Sequence, residues 1–419
     1  MENMRKMVRC KVCGAVFEEG AATCPVCGVG PENFEPVGDV VAYRDNTEDM
    51  YLILGGGVAA VGAAEAIRAR DRTGSVVLLT EEAFLPYNRP MLTKKLQEGG
   101  VPDLINAADW YEENNIQIYT GMRAASIDPE NREVSLENGN AFHYDKLIYA
   151  LGAESFVPPI PGADLPHCVS VRRIEDVQRV ETLLPEAKTA AVVGGGVLGL
   201  EAAWALRQRG LAVTVLEAGS RLMPRQLDEA ASQLLLEAAG ASGVEIVLNA
   251  QTQQVEPGRV ALASGREIPA DLVLFSCGVR ANVEVARTAG IEIGRAVKVD
   301  AGMRTSLPGI YACGDCAEWN GTNLALWAEA EEQGRVAGAN ASGEDETFQP
   351  KAYPVLFRGF GTMLFSCGRI TEDRAQDREA TFFFEEDKLV GAIVVGNFRR
   401  MKAVMDWVAR GVARKEVMP

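Results

Sequence analysis

Short apolar runs that lead into a glycine-rich turn and a helix of small residues dominate the first half of this chain. The first run, at 51–54, is followed by Gly55-Gly56-Gly57, by small residues with helical periodicity at 59–69 and by an apolar run at 76–79. Uninterrupted apolar runs of this length indicate strands buried on both faces, as in parallel sheets. The pattern therefore predicts a strand, a tight turn, a helix and a parallel strand.

The same pattern returns in the middle of the chain. Apolar runs at 190–193 and 213–216 flank a second glycine-rich turn, and a helix is predicted from that turn through Leu206. Two copies of the unit are much rarer by chance than one. They predict an α/β protein with two dinucleotide-binding units.

The C-terminal portion, 346–419, follows a different pattern. Alternating apolar and polar positions predict strands at 355–365, 380–384 and 389–395, and an amphipathic helix is predicted at 397–410. Strands and a helix gathered in this way indicate a small α+β domain.

The first glycine-rich turn has the features of a dinucleotide fingerprint. Gly55 permits the tight turn, Gly57 lets the backbone approach a pyrophosphate, and Ala60 stands where a third glycine often allows close packing of helix and strand. The helix N-terminus favours phosphate, and Glu81 at the end of the second strand can accept the ribose hydroxyls. Glu82 is the neighbouring alternative.

The second turn repeats these positions as Gly194, Gly196 and Gly199, with Glu217 at the end of the second strand. An acidic residue there favours the free 2′-hydroxyl of NADH over a 2′-phosphate. Arg221 lies close enough in the sequence to keep NADPH as the alternative.

Composition excludes several classes of function. The 419 residues carry 58 acidic and 42 basic side chains, a formal charge of −16, and no basic stripe, which argues against nucleic acid as a partner. No apolar segment is long enough to span a bilayer, and 1–10 has charges but no apolar core like that of a signal peptide. We therefore expect a cytoplasmic protein whose cysteines are ligands or buried thiols.

Two matching cysteine knuckles lie near the N-terminus. They read Cys-x-x-Cys-Gly, and their thiols belong to Cys10, Cys13, Cys24 and Cys27. The glycine of such a turn lets following N–H groups point at the thiolates, and two knuckles supply four sulfurs in a tetrahedral array. Spacing alone leaves two metals open, because structural zinc and redox-active iron use the same ligands.

Residues 8–37 resemble a rubredoxin, and specifically the short rubredoxin-like domain of rubrerythrins, with a compressed loop between the knuckles and Phe34 shortly after the second. The resemblance implies one iron held by the four cysteines. The aromatic cluster usual in rubredoxins is reduced here to Phe17 and Phe34, which keeps zinc as the alternative.

The segment 86–94 reads Pro-Tyr-Asn-Arg-Pro-Met-Leu-Thr-Lys and is similar to the flavin-facing segment of NADH-dependent rubredoxin and ferredoxin reductases. The resemblance implies that Arg89 and Pro90 lie along an FAD, with Lys94 near its redox edge and Glu201 as the partner of Lys94. The alternative for Glu201 is a helix-N-terminal carboxylate stabilised by the dipole. No cysteine lies between 51 and 167, which argues against the thiol relay of the superfamily's disulfide reductases.

Three further segments resemble motifs of the same superfamily. Residues 147–153 are similar to its Ala-Thr-Gly strand, and Gly278 belongs to a turn similar to its Gly-x-Arg-x-Asn segment near the nicotinamide. Gly314 and Asp315 match its second flavin motif, in which the aspartate binds the ribityl chain. Trp327 then opens a helix that would point at the flavin pyrimidine, with core packing as the alternative for this side chain.

The resemblance implies two interleaved Rossmann-like domains, for FAD and for NAD(P)H, between a small N-terminal metal domain and a C-terminal interface domain. The predicted boundaries are 1–37 for the rubredoxin-like domain, 38–49 for a linker, 50–160 and 283–345 for the FAD-binding domain, 161–282 for the NAD(P)H-binding domain and 346–419 for the interface domain.

Together these features predict a flavoprotein that passes electrons from NADH through FAD to a fused rubredoxin iron centre. The external acceptor expected from the resemblance is a rubrerythrin- or flavodiiron-type scavenger of oxygen or peroxide. The alternative is an NADH oxidase, or a reductase of a separate carrier, whose N-terminal four-cysteine site is a structural zinc docking module.

Overall fold

The computed structural model describes residues 7–13, 15–18, 20–36, 47–396 and 398–418. The chain forms two compact units, and each is assembled from three separate segments. The first unit contains Met1–Tyr87, Leu104–Ala153 and Ala281–Pro350, and the second contains Asn88–Asp103, Glu154–Arg280 and Lys351–Pro419. Among the described helices, none has the length and apolar character that a bilayer crossing requires.

The first unit is built on a five-stranded sheet whose described pairs are all parallel. Its central strand, Met50–Leu54, is buried at four consecutive positions, because both faces of the sheet are covered. Continuous burial explains why these strands appear in the sequence as apolar runs rather than as alternating patterns. The sheet order is Ile310–Ala312, Lys146–Tyr149, Met50–Leu54, Ser75–Leu79 and Ile116–Tyr119.

Smaller elements complete this unit. The N-terminal module is an antiparallel sheet of Val16–Glu18, Met7–Cys10 and Phe34–Pro36 with a 3₁₀ turn at Pro31–Asn33. The other strands are Ala124–Asp128, Glu133–Leu136 and Ala141–His143 in one antiparallel sheet, and Val297–Val299 with Ala317–Trp319 in a parallel pair. The helices are Val58–Arg68, Ala108–Glu113, Glu284–Thr288 and Trp327–Ala341, with a 3₁₀ turn at Gly314–Cys316.

Two helices of the first unit pack unusually closely. A Cβ placed on Gly334 would lie 2.1 Å from the carbonyl oxygen of Ala59, and a Cβ on Gly338 would lie 2.2 Å from that of Ala63. Only glycine fits at such a distance, so the Gly334-x-x-x-Gly338 pair brings the Trp327–Ala341 helix against the backbone of the Val58–Arg68 helix.

The second unit repeats the parallel architecture. Its five-stranded parallel sheet has Thr189–Val193 at the centre, with four consecutive buried positions. The sheet order is Cys168–Ser170, Leu272–Phe275, Thr189–Val193, Ala212–Leu216 and Val244–Val247. An antiparallel sheet of Thr252–Glu256, Gly258–Leu262 and Glu267–Ala270 extends this unit.

The C-terminal residues of the second unit form an antiparallel sheet in the order Val355–Gly359, Thr362–Gly368, Lys388–Val395, Ala380–Glu385 and Arg374–Gln376. The helices of this unit are Leu92–Glu98, Ile174–Leu183, Val197–Gln208, Glu229–Ala241, Met401–Arg410 and Arg414–Val417, with a 3₁₀ turn at Arg89–Met91. Strands Ala153–Ser155 and Val279–Ala281 include two of the five points at which the chain passes from one unit to the other.

The predicted class, an α/β fold with two interleaved dinucleotide-binding units, is confirmed. Two local predictions differ from the structure. The single pattern at 355–365 is a hairpin, because Phe360 and Gly361 have φ of +52° and +70° and reverse the chain. The helix predicted from 397 begins at Met401, and residue 397 itself lies outside the described residues.

The segment Asn88–Asp103, which sequence analysis assigns to the FAD-binding domain, groups with the second unit. Most of the predicted linker, residues 38–46, lies outside the described residues.

Candidate functional site

The four knuckle cysteines converge in the N-terminal module. The sulfur atoms of Cys10, Cys13, Cys24 and Cys27 all lie within 4.8 Å of one another. Cys10 and Cys27 are separated by 3.6 Å and Cys13 and Cys24 by 3.5 Å. Tetrahedral coordination with metal–sulfur bonds of about 2.3 Å places sulfurs about 3.8 Å apart, so the cluster fits one metal ion with little rearrangement.

Backbone N–H groups surround the sulfurs, as the knuckle pattern predicts. The amides of Val12 and Cys13 point at the Cys10 sulfur, and the amide of Val29 points at the Cys27 sulfur. Gly28 has a φ of +75°, which an L-residue rarely adopts, and its amide donates to the Cys24 carbonyl. Such amides favour negative charge on sulfur, which a coordinating thiolate carries.

The thiols also influence one another's pKa. The hydrogen bond from the Cys13 thiol lowers the pKa of Cys27 to about 5, whereas burial raises the pKa of Cys10 to about 11. A divalent or trivalent cation removes this competition, because it displaces the protons and binds all four sulfurs as thiolates. Beside the cluster, the rings of Phe17 and Phe34 make an edge-to-face contact with centroids 4.7 Å apart.

The first glycine-rich turn has the geometry of a phosphate cradle. Gly55 has a φ of +127°, and a Cβ there would lie 2.1 Å from the carbonyl oxygen of Ala150. Gly57 is the N-cap of the Val58–Arg68 helix, and a Cβ on it would meet no atom within 4 Å. The first glycine is therefore required by the fold, whereas the second leaves open space in front of the helix N-terminus. Ala60 is fully buried.

Both acidic candidates for ribose binding follow the Ser75–Leu79 strand. The Glu81 carboxylate forms an ion pair with Arg123 at 3.3 Å. The Glu82 carboxylate accepts a 2.6 Å hydrogen bond from the Tyr87 hydroxyl. Two different partners therefore fix neighbouring carboxylates at the end of this strand, and Glu81 and Glu82 stay predictions as ribose ligands.

The turn that carries Asp315 lies against the same helix. A Cβ on Gly314 would lie 2.8 Å from the Cβ of Ala59, and the Gly314 amide donates to the Gln333 side chain at 2.9 Å. The Asn323 side-chain amide donates to the Asp315 carbonyl at 2.8 Å. These contacts hold the Gly314-Asp315 turn beside the N-terminus of the Val58–Arg68 helix, and Asp315 stays a prediction as a ligand of the ribityl chain.

Cys313 and Cys316 are separated by two residues, the spacing of many redox-active dithiols, but their surroundings argue against a working dithiol. Cys313 and Cys316 have no exposed surface, and the Cys316 thiol donates to the carbonyl of Tyr149 at 3.4 Å. Burial raises the pKa of Cys316 to about 12 and raises that of Cys313 well above its ordinary value. Thiols with raised pKa and no access to solvent are unreactive.

Trp327 is the first residue of the Trp327–Ala341 helix and packs partly buried against the core of the first unit. Sequence reasoning missed two features of this helix. Gln333 pins the Gly314–Cys316 turn, and Gly334 with Gly338 allows the close helix contact. The spacing of four between the two glycines could have indicated the close helix contact from the sequence. The hydrogen bond between Gln333 and Gly314 could not, because it depends on how the chain returns to the first unit.

The second glycine-rich turn reproduces the first. Gly194 has a φ of +118°, and a Cβ there would lie 2.2 Å from the carbonyl oxygen of Ser276. Gly196 caps the Val197–Gln208 helix with open space in front of it, and a Cβ on Gly199 would lie 2.1 Å from the Gly194 carbonyl oxygen. The third glycine therefore allows the close packing that the fingerprint predicts.

Glu217 closes this loop from the end of its strand. Its carboxylate accepts hydrogen bonds from the amides of Gly195, at 2.7 Å, and Gly219, at 2.6 Å. Both carboxylate oxygens are thus fixed beside the loop. The Arg221 guanidinium donates to the carbonyl of Pro224 at 3.2 Å.

Within the second unit, Glu201 is held by a residue that sequence reasoning did not single out. The Thr93 hydroxyl donates to the Glu201 carboxylate at 2.7 Å, while the ammonium group of Lys94 contacts the sulfur of Met91 at 3.6 Å. Burial raises the pKa of Glu201, and the Thr93 hydrogen bond and the Lys94 charge act in the opposite direction. Lys94 therefore acts on Glu201 through its electrostatic field, and the catalytic role of the pair stays a prediction.

The remaining predicted residues of the second unit occupy turns. The Arg89 guanidinium donates to the Arg172 carbonyl at 2.6 Å, and Pro90 is exposed. Gly278 has a φ of +95°, and the neighbouring Cys277 thiol donates to the Val193 carbonyl at 3.3 Å. Burial raises the pKa of Cys277 to about 11, which makes it an unreactive thiol.

These residues fit the groups that the resemblance implies. Each unit has one glycine-rich turn with open space before a helix N-terminus, which suits the pyrophosphate of a dinucleotide. The N-terminal module offers four thiols in a tetrahedral array, which suits iron or zinc. Two dinucleotide cradles and one metal site on a single chain can serve redox chemistry.

Comparison with known proteins agrees with this geometry. The chain is 32% identical to the NADH oxidase of Methanocaldococcus jannaschii, over 87% of this chain and 92% of the relative. The crystal structure of NADH:rubredoxin oxidoreductase from Clostridium acetobutylicum superposes with a TM-score of 0.72 at 28% identity, and the match covers 88% of this chain and 96% of that one.

A third relative is longer. The assimilatory nitrate reductase electron transfer subunit of Bacillus subtilis is 32% identical over 88% of this chain, and this chain spans 50% of its length. Residues 49–334 match the family described as pyridine nucleotide-disulphide oxidoreductase. The glycine-rich turns and the Gly314-Asp315 turn lie in that range, and the chain therefore belongs to the pyridine nucleotide-disulphide oxidoreductase family.

Proposed function

We propose that this protein is an NADH-dependent FAD flavoprotein that passes electrons to an iron centre in its own N-terminal module and from there to an external acceptor protein. The observation that carries the proposal is the four-cysteine cluster, with all sulfurs within 4.8 Å, on the same chain as two dinucleotide cradles. The similarity to an NADH:rubredoxin oxidoreductase supports the rubredoxin-type acceptor.

The proposed cofactor residues divide between the two units. In the first unit, the Gly55–Gly57 turn and the helix N-terminus would hold the FAD pyrophosphate, and Asp315 would hold the ribityl chain. In the second unit, the Gly194–Gly196 turn and Glu217 would hold NADH. FAD supplies the step between a two-electron donor and a one-electron metal centre.

The chain's own groups set the field for this chemistry. The N-terminus of the Trp327–Ala341 helix favours negative charge in front of Trp327, which suits a reduced flavin. The amides around Cys10 and Cys27 favour thiolate ligands. The cysteine pair at 313–316 takes no part, because both thiols are buried with raised pKa.

Substitution of one metal ligand tests the proposal. Cys10→Ser should leave NADH-driven reduction of the bound FAD intact and abolish NADH-driven reduction of an added rubrerythrin- or flavodiiron-type acceptor. The matched control is Cys367→Ser, since Cys367 is a buried thiol of the C-terminal sheet outside the cluster. Unchanged acceptor reduction in Cys10→Ser would contradict the proposed path.

In a second candidate function the metal is structural and carries no electrons. The similarity to an NADH oxidase favours direct reduction of oxygen, or of a separate carrier, with the four-cysteine module as a zinc-bound docking element. In that case purified protein contains zinc, and Cys10→Ser retains the full rate of NADH oxidation by oxygen.

A further inference from the structure

Glu329 is a buried acid that the proposed function does not use. It lies in the first turn of the Trp327–Ala341 helix and is only 6% exposed. The next residue, Ala330, lies 3.5 Å from a Cβ placed on Gly314, so Glu329 belongs to the structure that carries Asp315. A buried carboxyl group beside a proposed flavin site is costly to ionise, and this cost indicates a role.

The surroundings of Glu329 are defined. The backbone amide of Leu324, in the loop that precedes the helix, favours the ionised form of its carboxyl. The charge that acts on it from the neighbouring turn is that of Asp315. On its own helix it is the sole acidic residue of the first turn. A neighbouring carboxylate, a backbone amide and the N-terminus of its own helix thus act on one buried acid.

These groups act in opposite directions. The helix N-terminus and the Leu324 amide favour the carboxylate. Burial, followed by the charge of Asp315, outweighs them and raises the pKa of Glu329 to about 7. A further negative charge nearby would therefore raise the pKa of Glu329 and protonate it near neutral pH. Electrons that enter a flavin add such a charge.

We propose that Glu329 takes up a proton from solvent when the bound FAD is reduced, so that its carboxyl sets how many protons accompany the two electrons. This inference rests on the proposed FAD site of the first unit. The balance is FAD, an ionised Glu329, two electrons and two protons on one side, and FADH⁻ with a protonated Glu329 on the other. One proton enters the flavin ring and the second enters the carboxyl group.

The pH window follows from the position of this equilibrium. Glu329 is ionised in the oxidised protein above about pH 7 and stays protonated in the reduced protein up to the higher pKa that the added flavin charge gives it, so reduction draws in the second proton between these two values. Below that value it is already protonated, so reduction changes nothing at this residue. The effect of Glu329 on proton uptake should therefore appear on the alkaline side only.

The test is the pH dependence of the two-electron midpoint potential of the full FAD-loaded chain, with dithionite as reductant and redox dyes as mediators. In the range directly above about pH 7 the unsubstituted protein should take up two protons per two electrons. Glu329→Gln should take up one, a twofold smaller slope, and the two proteins should converge at lower pH. Equal slopes above this pH would overturn the inference.

Two controls keep the outcome decisive. Glu284→Gln removes a carboxylate that is 85% exposed on another helix of the same unit and should leave the slope unchanged. If Glu329→Gln releases FAD, the unsubstituted protein alone decides, because one proton per two electrons in the range directly above about pH 7 contradicts the inference.

The outcome also separates the two proposals. Because dithionite supplies the electrons, a failure of NADH or of the metal to exchange electrons with FAD would contradict the proposed function and leave this test intact. A chain that binds no FAD would contradict both.

Discussion

The sulfur atoms of Cys10 and Cys27 lie 3.6 Å apart although 17 positions separate them in the chain. Three short strands and a 3₁₀ turn hold the two knuckles together, and among the side chains described there the buried apolar ones are Val8, Cys10, Val12 and Cys24. So small a core cannot offset the conformational entropy of the segment. We therefore expect the contact between the knuckles to depend on a shared metal ion.

Removal of the metal should unfold the N-terminal module alone. A chelator should raise the amide hydrogen exchange of 7–36 to that of an unfolded chain, since the metal provides much of the folding free energy. The parallel sheets of both units should keep their protection. Unchanged exchange in 7–36 after complete metal loss would show that the module folds without it.

Substitutions in the first glycine-rich turn should separate folding from binding. Gly55→Ala should destabilise the first unit by on the order of 3 kcal/mol, because it combines an unfavourable φ with a clash against backbone. Gly57→Ala has room in the structure and should fold normally, yet its methyl group would occupy the space in front of the helix N-terminus. Thermal unfolding and FAD content of both variants measure the two effects.

The expected contrast is a low melting temperature for Gly55→Ala and a normal melting temperature with reduced FAD content for Gly57→Ala. Full FAD occupancy in Gly57→Ala would argue against this turn as the pyrophosphate site.

Loss of the Glu217 carboxylate should weaken dinucleotide binding in the second unit. Glu217→Ala should raise the Kd for NAD⁺ by about 10- to 100-fold, the value of a charged hydrogen bond of about 1.5–3 kcal/mol. Equilibrium titration with NAD⁺ measures the change. The control is Glu245→Ala, which removes a half-exposed carboxylate from another strand of the same sheet. Equal affinities for the two variants would exclude Glu217 as a ligand.

The free energy of unfolding that is lost when the Thr93 hydrogen bond is removed should depend on pH. Burial holds the pKa of Glu201 above its unfolded value, so its ionisation destabilises the native state as the pH rises through the native pKa. Thr93→Val removes a donor to the carboxylate and should cost about 1–3 kcal/mol at neutral pH, with little cost below the unfolded pKa of Glu201.

Melting temperatures across the acidic to neutral range test this expectation, with Thr93→Ser as the variant that keeps the hydroxyl. A cost that does not change with pH would assign Thr93 to packing alone.

The fold could be read from the sequence wherever one periodicity was sustained. The helix predicted at 59–69 is observed at Val58–Arg68, and the central strand predicted at 51–54 is observed at Met50–Leu54. Continuous apolar runs and glycine-rich turns are local signals, so they can be interpreted without knowledge of tertiary contacts. The hairpin at 355–365 was missed because Phe360 adopts a positive φ, which phenylalanine rarely does and which its presence in the sequence therefore does not predict.

The candidate site was predictable where its chemistry is local. The four cysteines are confirmed as one cluster, since each pair is preset by its own knuckle turn. The partners of Glu201 and Gly314 could not be read in this way. Thr93 lies 108 positions from Glu201, and the contact between Gln333 and Gly314 depends on how the chain returns to the first unit.

The most direct test of the account is an anaerobic visible spectrum of iron-supplemented protein before and after stoichiometric NADH, with metal analysis of the same sample. The account predicts thiolate-to-iron bands that overlie the flavin spectrum and bleach together with it when NADH is added. A sample that contains zinc, in which only the flavin bands bleach, would contradict the central claim that the four-cysteine site carries electrons.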